Sequence, residues 1–381
     1  MPAEAATNLL IDTDVHPHLG DLSAYLPRVW GERWKRIAMG VGAAHEGNPR
    51  GVPRRDAWTP DGRLPGSDPE FMVTDHLDRY DIDYAILLPP VLPMIPDPDY
   101  ANALASAYND CLLDSWLPVS ARFKGSVAVN SNDPEAAARE IRRVGSHPDM
   151  VQVLMSSVSR APYGQRQYHA IYEAAAEFDL PVAVHPGTEG AGTAWPPTPV
   201  GYPSRYLEWH NILPITYMAQ INSLICEGVF EKFPTLKFVG VEGGLAWLPH
   251  LMWRMDKNYK ALRDTTPWLK RLPSEYIVEH IRFTTQPIEE PAKPAELEQI
   301  LSMISAEKTV MFSSDYPHWD NDDPRLVLRR LDPAMRARIF GGTAAELYQL
   351  HTAPARTEPT WQRTKKTESK DDSTSYATVI E

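Results

Sequence analysis

The chain has 381 residues, 43% hydrophobic and 23% charged, enough to bury a substantial core without disulfides. Acidic residues outnumber basic ones by 50 to 38, and a net charge of −12 argues against general binding to nucleic-acid backbones, which rests on clustered Lys and Arg. Cys111 and Cys226 are too few for a disulfide framework or a thiolate zinc site, and no stretch approaches the roughly 18 apolar residues of a membrane span. The N-terminal "MPAEAATNLLIDTD" has no basic region leading into a long apolar core. The expectation is a soluble cytoplasmic chain with no membrane or nucleic-acid partner.

Eight short apolar runs follow one another along the chain: "NLLIDTD" (Asn8 to Asp14), "DYAILLP" (Asp83 to Pro89), "FKGSVAV" (Phe123 to Val129), "MVQVLM" (Met150 to Met155), "LPVAVHP" (Leu180 to Pro186), "LKFVGVEG" (Leu236 to Gly243), "IRFTTQP" (Ile281 to Pro287) and "TVMFSSD" (Thr309 to Asp315). Helical patterns separate most of them, such as "PEAAAREIRRVG", which opens behind the start signal Asp133, and "YHAIYEAAAEFD". Strands alternating with helices predict βαβ units, and eight of them predict a closed (β/α)8 TIM barrel over residues 8–352. Two irregular insertions interrupt the pattern. One runs from about His16 to Ser67 and contains "GNPRGVPRRDAW"; the other, "GTEGAGTAWPPTPVGYPSRYLEWHN", follows the fifth run. Both are expected to sit over the barrel mouth as lid or binding loops. Residues 353–381 are polar, rich in Thr and Ser and without periodicity, the composition of a disordered tail.

Polar residues recur where the runs stop: Asp14, His16 and His18 after the first, His185 after the fifth, Glu242 after the sixth, Asp315 and His318 after the eighth. In a parallel barrel these ends share one face, so residues spread over the chain meet there. Asp14 and His16, two apart on a strand, point the same way. A lone D-x-H is common by chance, and a lone His185 fits a satisfied core histidine equally well. Together the ends supply the imidazoles and carboxylates of a divalent metal site. Glu242, in "VEGG", either binds metal or pairs with a cation such as Arg254. Asp315 is expected both to ligate and to take part in proton transfer, with Glu242 and His318 as further catalytic groups. Arg54 and Arg55 could clamp a substrate carboxylate, and Trp209, His210 and Trp319 could wall the pocket.

These features, with "VEGGLAWLP", "TTQPIEEP" and "SSDYPHWDNDDP", resemble the amidohydrolase superfamily, and within it the amidohydrolase-related branch that holds aminocarboxymuconate-semialdehyde and γ-resorcylate decarboxylases. The similarity covers roughly Leu9 to Leu350. It implies a metal-dependent hydrolase or decarboxylase of a small organic carboxylate or carbonyl compound, with metal ligands at Asp14, His16, His185 and Asp315. Two positions depart from the family: Asp14 stands where its first histidine is, and Glu242 where a catalytic histidine often is. More carboxylate makes the site harder, suiting zinc, iron or manganese, and Glu242 and His318 could hold a second ion. The same pattern resembles dinuclear non-haem iron or manganese-iron monooxygenases of this fold. That alternative requires an electron-transfer partner. A barrel that had lost catalysis would hold no tight metal. Self-association is expected of a barrel this size.

Overall fold

The computed structural model describes residues 9–37, 52–92 and 95–354. Each of the eight runs forms a strand: β1 Ile11–Val15, β2 Tyr84–Leu87, β3 Phe123–Ala128, β4 Met150–Ser156, β5 Val182–His185, β6 Phe238–Gly240, β7 Ile281–Thr284 and β8 Val310–Met311. All adjacent pairs are parallel, and the order in the sheet follows the chain from β1 to β8. The seam closes where Thr13 N donates to Phe312 O at 3.0 Å and Val15 bridges Tyr316. The sheet is thus the expected eight-stranded barrel.

Strand ends differ from expectation in an instructive way. β8 stops at Met311 rather than Asp315 because the next amides leave the ladder: Ser313 N donates to Thr285 Oγ1 at 3.0 Å and Ser314 N to Asp12 Oδ1 at 2.9 Å. β6 stops at Gly240, and Glu242 N turns aside to Thr284 Oγ1 at 2.9 Å. Side chains of neighbouring strands therefore take over the hydrogen bonding where the site begins.

Two apolar clusters hold the barrel. Alternate strand residues Ile11, Ile86, Ala183, Val239 and Met311 pack on one another inside it, while Val182, Val184, Phe238 and Val310 face the helices. Each fully buried Val or Ile contributes about 1.5–3 kcal/mol through apolar area removed from water. Two-residue spacing carries the inner face from Ala183 to His185 and from Met311 to Asp315; in β1 a register shift between Asp12 and Val15 brings Asp14 onto it. The shell helices are locally specified. Asp133 accepts from Ala136 N and starts Pro134–Val144, and Asp97 and Asp68 cap their helices in the same way.

The described part of the first insertion lies along the segment that follows β8. Pro53 forms an antiparallel bridge with His318, Arg54 N donates to Pro317 O at 2.8 Å, and Trp319 N to Val52 O at 2.8 Å. Residues 38–51 of that insertion, and the expected tail from 355 onward, fall outside the described residues. Among the described residues no helix is long and apolar enough to cross a membrane.

Candidate active site

All eight strands end on one face, and three of the ends, those of β1, β5 and β8, converge. Asp14, His16, His185 and Asp315 each offer a ligand atom, and these atoms lie within 4.8 Å of one another. His16 Nε2 is 2.9 Å from Asp14 Oδ1 and 3.0 Å from Asp315 Oδ1, and His185 Nε2 is 3.7 Å from Asp14 Oδ1. Despite these short distances, both Asp14 oxygens, Asp315 Oδ2 and the Nε2 atoms of His16 and His185 are buried without a hydrogen-bond partner. Each such orphan costs about 1–3 kcal/mol, more if charged. Donors aimed at a common point rather than at each other are what a bound cation satisfies.

The tautomers agree with that reading. His185 Nδ1 lies 2.8 Å from Pro186 O, an atom that can only accept, so Nδ1 carries the proton and Nε2 presents its lone pair inward. His318 Nδ1 meets Asp315 Oδ1 at 2.7 Å, and its ring stacks on His16 with centroids 4.4 Å apart. Asp315 and Glu242 both hold left-handed backbone, φ +63° and +60°, a conformation that a non-glycine residue keeps only where surrounding contacts impose it.

Electrostatics follow from crowding three buried carboxylates together. Burial pulls the His16 imidazole down, but Asp14 and Asp315 override it and hold the ring well above its ordinary pKa. Burial lowers His185 too, and Asp14 with Glu242 more than compensates. Burial raises Asp315, yet His318 and His16 bring it far below the usual carboxylate range. Glu242 stays raised, by burial first and then by repulsion from Asp315. The pocket favours positive charge, and four donors of mixed imidazole and carboxylate character fit zinc, iron or manganese.

Of the other residues read from the sequence, Glu242 sits beside the group rather than in it. Its Oε2 is 2.9 Å from His185 Nε2 and its Oε1 4.0 Å from His210 Nε2, so its neighbours are imidazoles and not Arg254. His318 touches Asp315 alone of the four through a polar atom. The described residues thus form one metal-binding group, with no support for a second ion, a dinuclear oxygenase or its electron-transfer partner. The Arg54 guanidinium donates twice to Asp56, at 2.7 and 2.5 Å, and to Asn321 at 2.7 Å, which makes it a latch between the first insertion and the loop after β8. Arg55 and His18 are exposed. Trp209 is buried, and Trp319 donates through Nε1 to Tyr206 Oη at 3.1 Å. The rings of Tyr206 and Trp319 both lie 5.7 Å from His210.

Several contributors were not singled out from the sequence. Asp12 accepts from Ser314 Oγ at 2.6 Å and pairs with His76 Nε2 at 2.7 Å, tying β1 to the Asp315 turn, with all three side chains fully buried. His76 lies mid-helix, with no local signal. Asp320, 3.2 Å from His210 Nε2, stands in the "SSDYPHWD" segment, and that clustering was its signal. Above His16, His185 and His318 opens a 410 Å³ cavity with apolar walls from Leu88, Pro89, Val91, Pro186 and Pro317, a size typical of small-molecule sites.

Comparison with known proteins agrees with the geometry. A family model described as Amidohydrolase matches residues 11–350. A γ-resorcylate decarboxylase of Polaromonas sp. is 27% identical over 294 residues, 72% of this chain and 86% of that protein. Among solved structures, 5-carboxyvanillate decarboxylase from Sphingomonas paucimobilis has a TM-score of 0.64 at 22% identity, covering 90% of this chain and 99% of its own. Dihydroxybenzoic acid decarboxylase from Polaromonas sp., with bound manganese and 2-nitroresorcinol, has a TM-score of 0.59 at 21% identity, covering 91% and 98%.

Proposed function

This chain belongs to the amidohydrolase family, and we propose on that premise that it is a metal-dependent lyase that releases carbon dioxide from a small, ring-bearing carboxylate. The observation that carries the reading is the buried convergence of Asp14, His16, His185 and Asp315, their donors orphaned, in a chain similar to a resorcylate decarboxylase. These four residues would hold one divalent cation, which when bound supplies a Lewis acid for the substrate's carboxylate and its neighbouring oxygen.

The rest of the chemistry belongs to the protein. Glu242 Oε2 lies 2.9 Å from the inward-facing His185 Nε2, beside the cation site, and His318 locks the Asp315 carboxylate in place. The proline-lined cavity excludes water from one face of a planar ring and so strengthens each charge interaction at its floor. Loss of carbon dioxide leaves an electron pair on carbon, which takes up one proton from an acid on the protein.

Protein purified without added metal is expected to carry about one divalent ion per chain, as four ligands suffice for one. It is expected to release carbon dioxide from 2,6-dihydroxybenzoate or 5-carboxyvanillate, to stop when treated with chelator and to recover with manganese or zinc. Metal-loaded protein that leaves hydroxybenzoates intact but cleaves an amide or ester would place it among the hydrolases instead.

A further inference from the structure

The decarboxylase reading leaves the proton donor unassigned, and most imidazoles at the mouth are committed. His16 and His185 aim Nε2 into the metal-binding group, His318 gives Nδ1 to Asp315, and His18 is exposed at the rim. His210 differs. It ends the short helix Tyr206–His210 in the insertion after β5, and its Nε2 faces Asp320 Oδ2 at 3.2 Å and Glu242 Oε1 at 4.0 Å. Glu242 in turn contacts His185 at 2.9 Å. A line of charged groups thus runs from the metal-binding group, through Glu242 and His210, to Asp320. The rings of Tyr206 and Trp319, 6.4 Å from each other, both pack against His210, and only 15% of its side chain is exposed.

We propose that His210, oriented by Asp320, is the acid that protonates the substrate carbon; this rests on the decarboxylase reading above. The bond from carbon to carboxylate breaks, its electron pair stays on carbon, carbon dioxide leaves, and the proton passes from the His210 imidazolium to that carbon. The neutral imidazole then takes a proton from water. Asp320 is a positioning residue. Glu242 and Asp320, with Tyr206 and the more distant Asp315, are the titratable groups around the ring; burial disfavours its charged form, and the carboxylates more than offset that. Glu242 stands at a strand end where the resembled family often has a catalytic histidine, and here an imidazole from the neighbouring insertion lies 4.0 Å from its carboxylate.

The test compares wild type, His210→Gln and Asp320→Asn, each checked for metal content and folded-state circular dichroism, with 2,6-dihydroxybenzoate as substrate. His210→Gln is expected to lose about 100-fold or more in kcat with KM and metal content little changed, and to regain activity with added imidazole. Asp320→Asn is expected to shift the alkaline limb of the kcat–pH profile to lower pH. A His210→Gln enzyme within about threefold of wild-type kcat overturns the assignment. Should wild type release no carbon dioxide, the decarboxylase reading fails by itself. The His210 NMR titration of the substrate-free protein then decides the pairing: a midpoint that falls in Asp320→Asn upholds it, and a midpoint that does not move overturns it.

Discussion

Adding a divalent cation to metal-free protein is expected to raise its melting temperature by an amount the structure bounds. The four donors are already within 4.8 Å of one another in a buried pocket, so binding needs little rearrangement and is confined to the folded chain. For a site of that kind, free metal at about 100 times Kd stabilises by about 2.7 kcal/mol, and at 1,000 times Kd by about 4.1 kcal/mol. The barrel matched over residues 11–350 unfolds with an entropy of about 0.7 kcal/mol/K, from about 2.1 cal/mol/K per residue. The expected shifts are therefore about 4 °C and about 6 °C. Differential scanning calorimetry across a manganese or zinc titration reads them directly, with Asp14→Ala and His185→Ala as partners. Both substitutions remove a donor and should flatten the titration. A melting temperature that ignores metal in wild type, or that still climbs in both variants, refutes the idea that these side chains form the site.

Burial, then repulsion from Asp320 and Glu290, pushes the Asp322 carboxyl up to about 7. The unfolded group ionises near its ordinary value while the folded one keeps its proton, so stability falls as pH rises from about 4 to about 7. Asp322→Asn in metal-free protein should therefore gain more at pH 8 than at pH 5, by up to about 3 kcal/mol, read from urea melts at the two pH values. Equal gains at both would remove burial as the cause. Arg54→Ala should cost only about 1 kcal/mol, because its partner Asp56 is exposed, yet lower kcat by loosening the loop that carries His318; stopped-flow and thermal melts separate the two effects, and unchanged kcat would deny the latch a role. A Cβ at Gly341 would stand 1.9 Å from the Leu9 carbonyl oxygen. Gly341→Ala should destabilise by about 3 kcal/mol or more, and a soluble variant melting like wild type would show that the helical segment there can move away from Leu9.

The barrel was legible because its strands are short β-rich runs bounded by turn residues, a local property, and because parallel geometry places every strand end on one face. That topological rule let Asp14, His16, His185 and Asp315 be grouped without any distance. What local sequence lacks is the packing of one loop on another. Arg54 looked like a free clamp because Asp56 and Asn321 meet it only once the first insertion lies along the loop after β8. Glu242 and His318 shared the signal of the true group, and only the turn geometry beyond each strand sets them beside it rather than in it. His76 reaches Asp12 from a helix 64 positions away, with nothing nearby in the chain to flag it.

The two aspartates of the metal-binding group lie in the first strand and in the turn after the last, and Asp315 N donates to Asp14 O at 3.1 Å across the closing seam. A nascent chain that has not yet emerged past its last strand can therefore assemble no complete coordination set. A cation held by these four residues would act as a rivet across the closing seam, joining the first strand to the turn after the last.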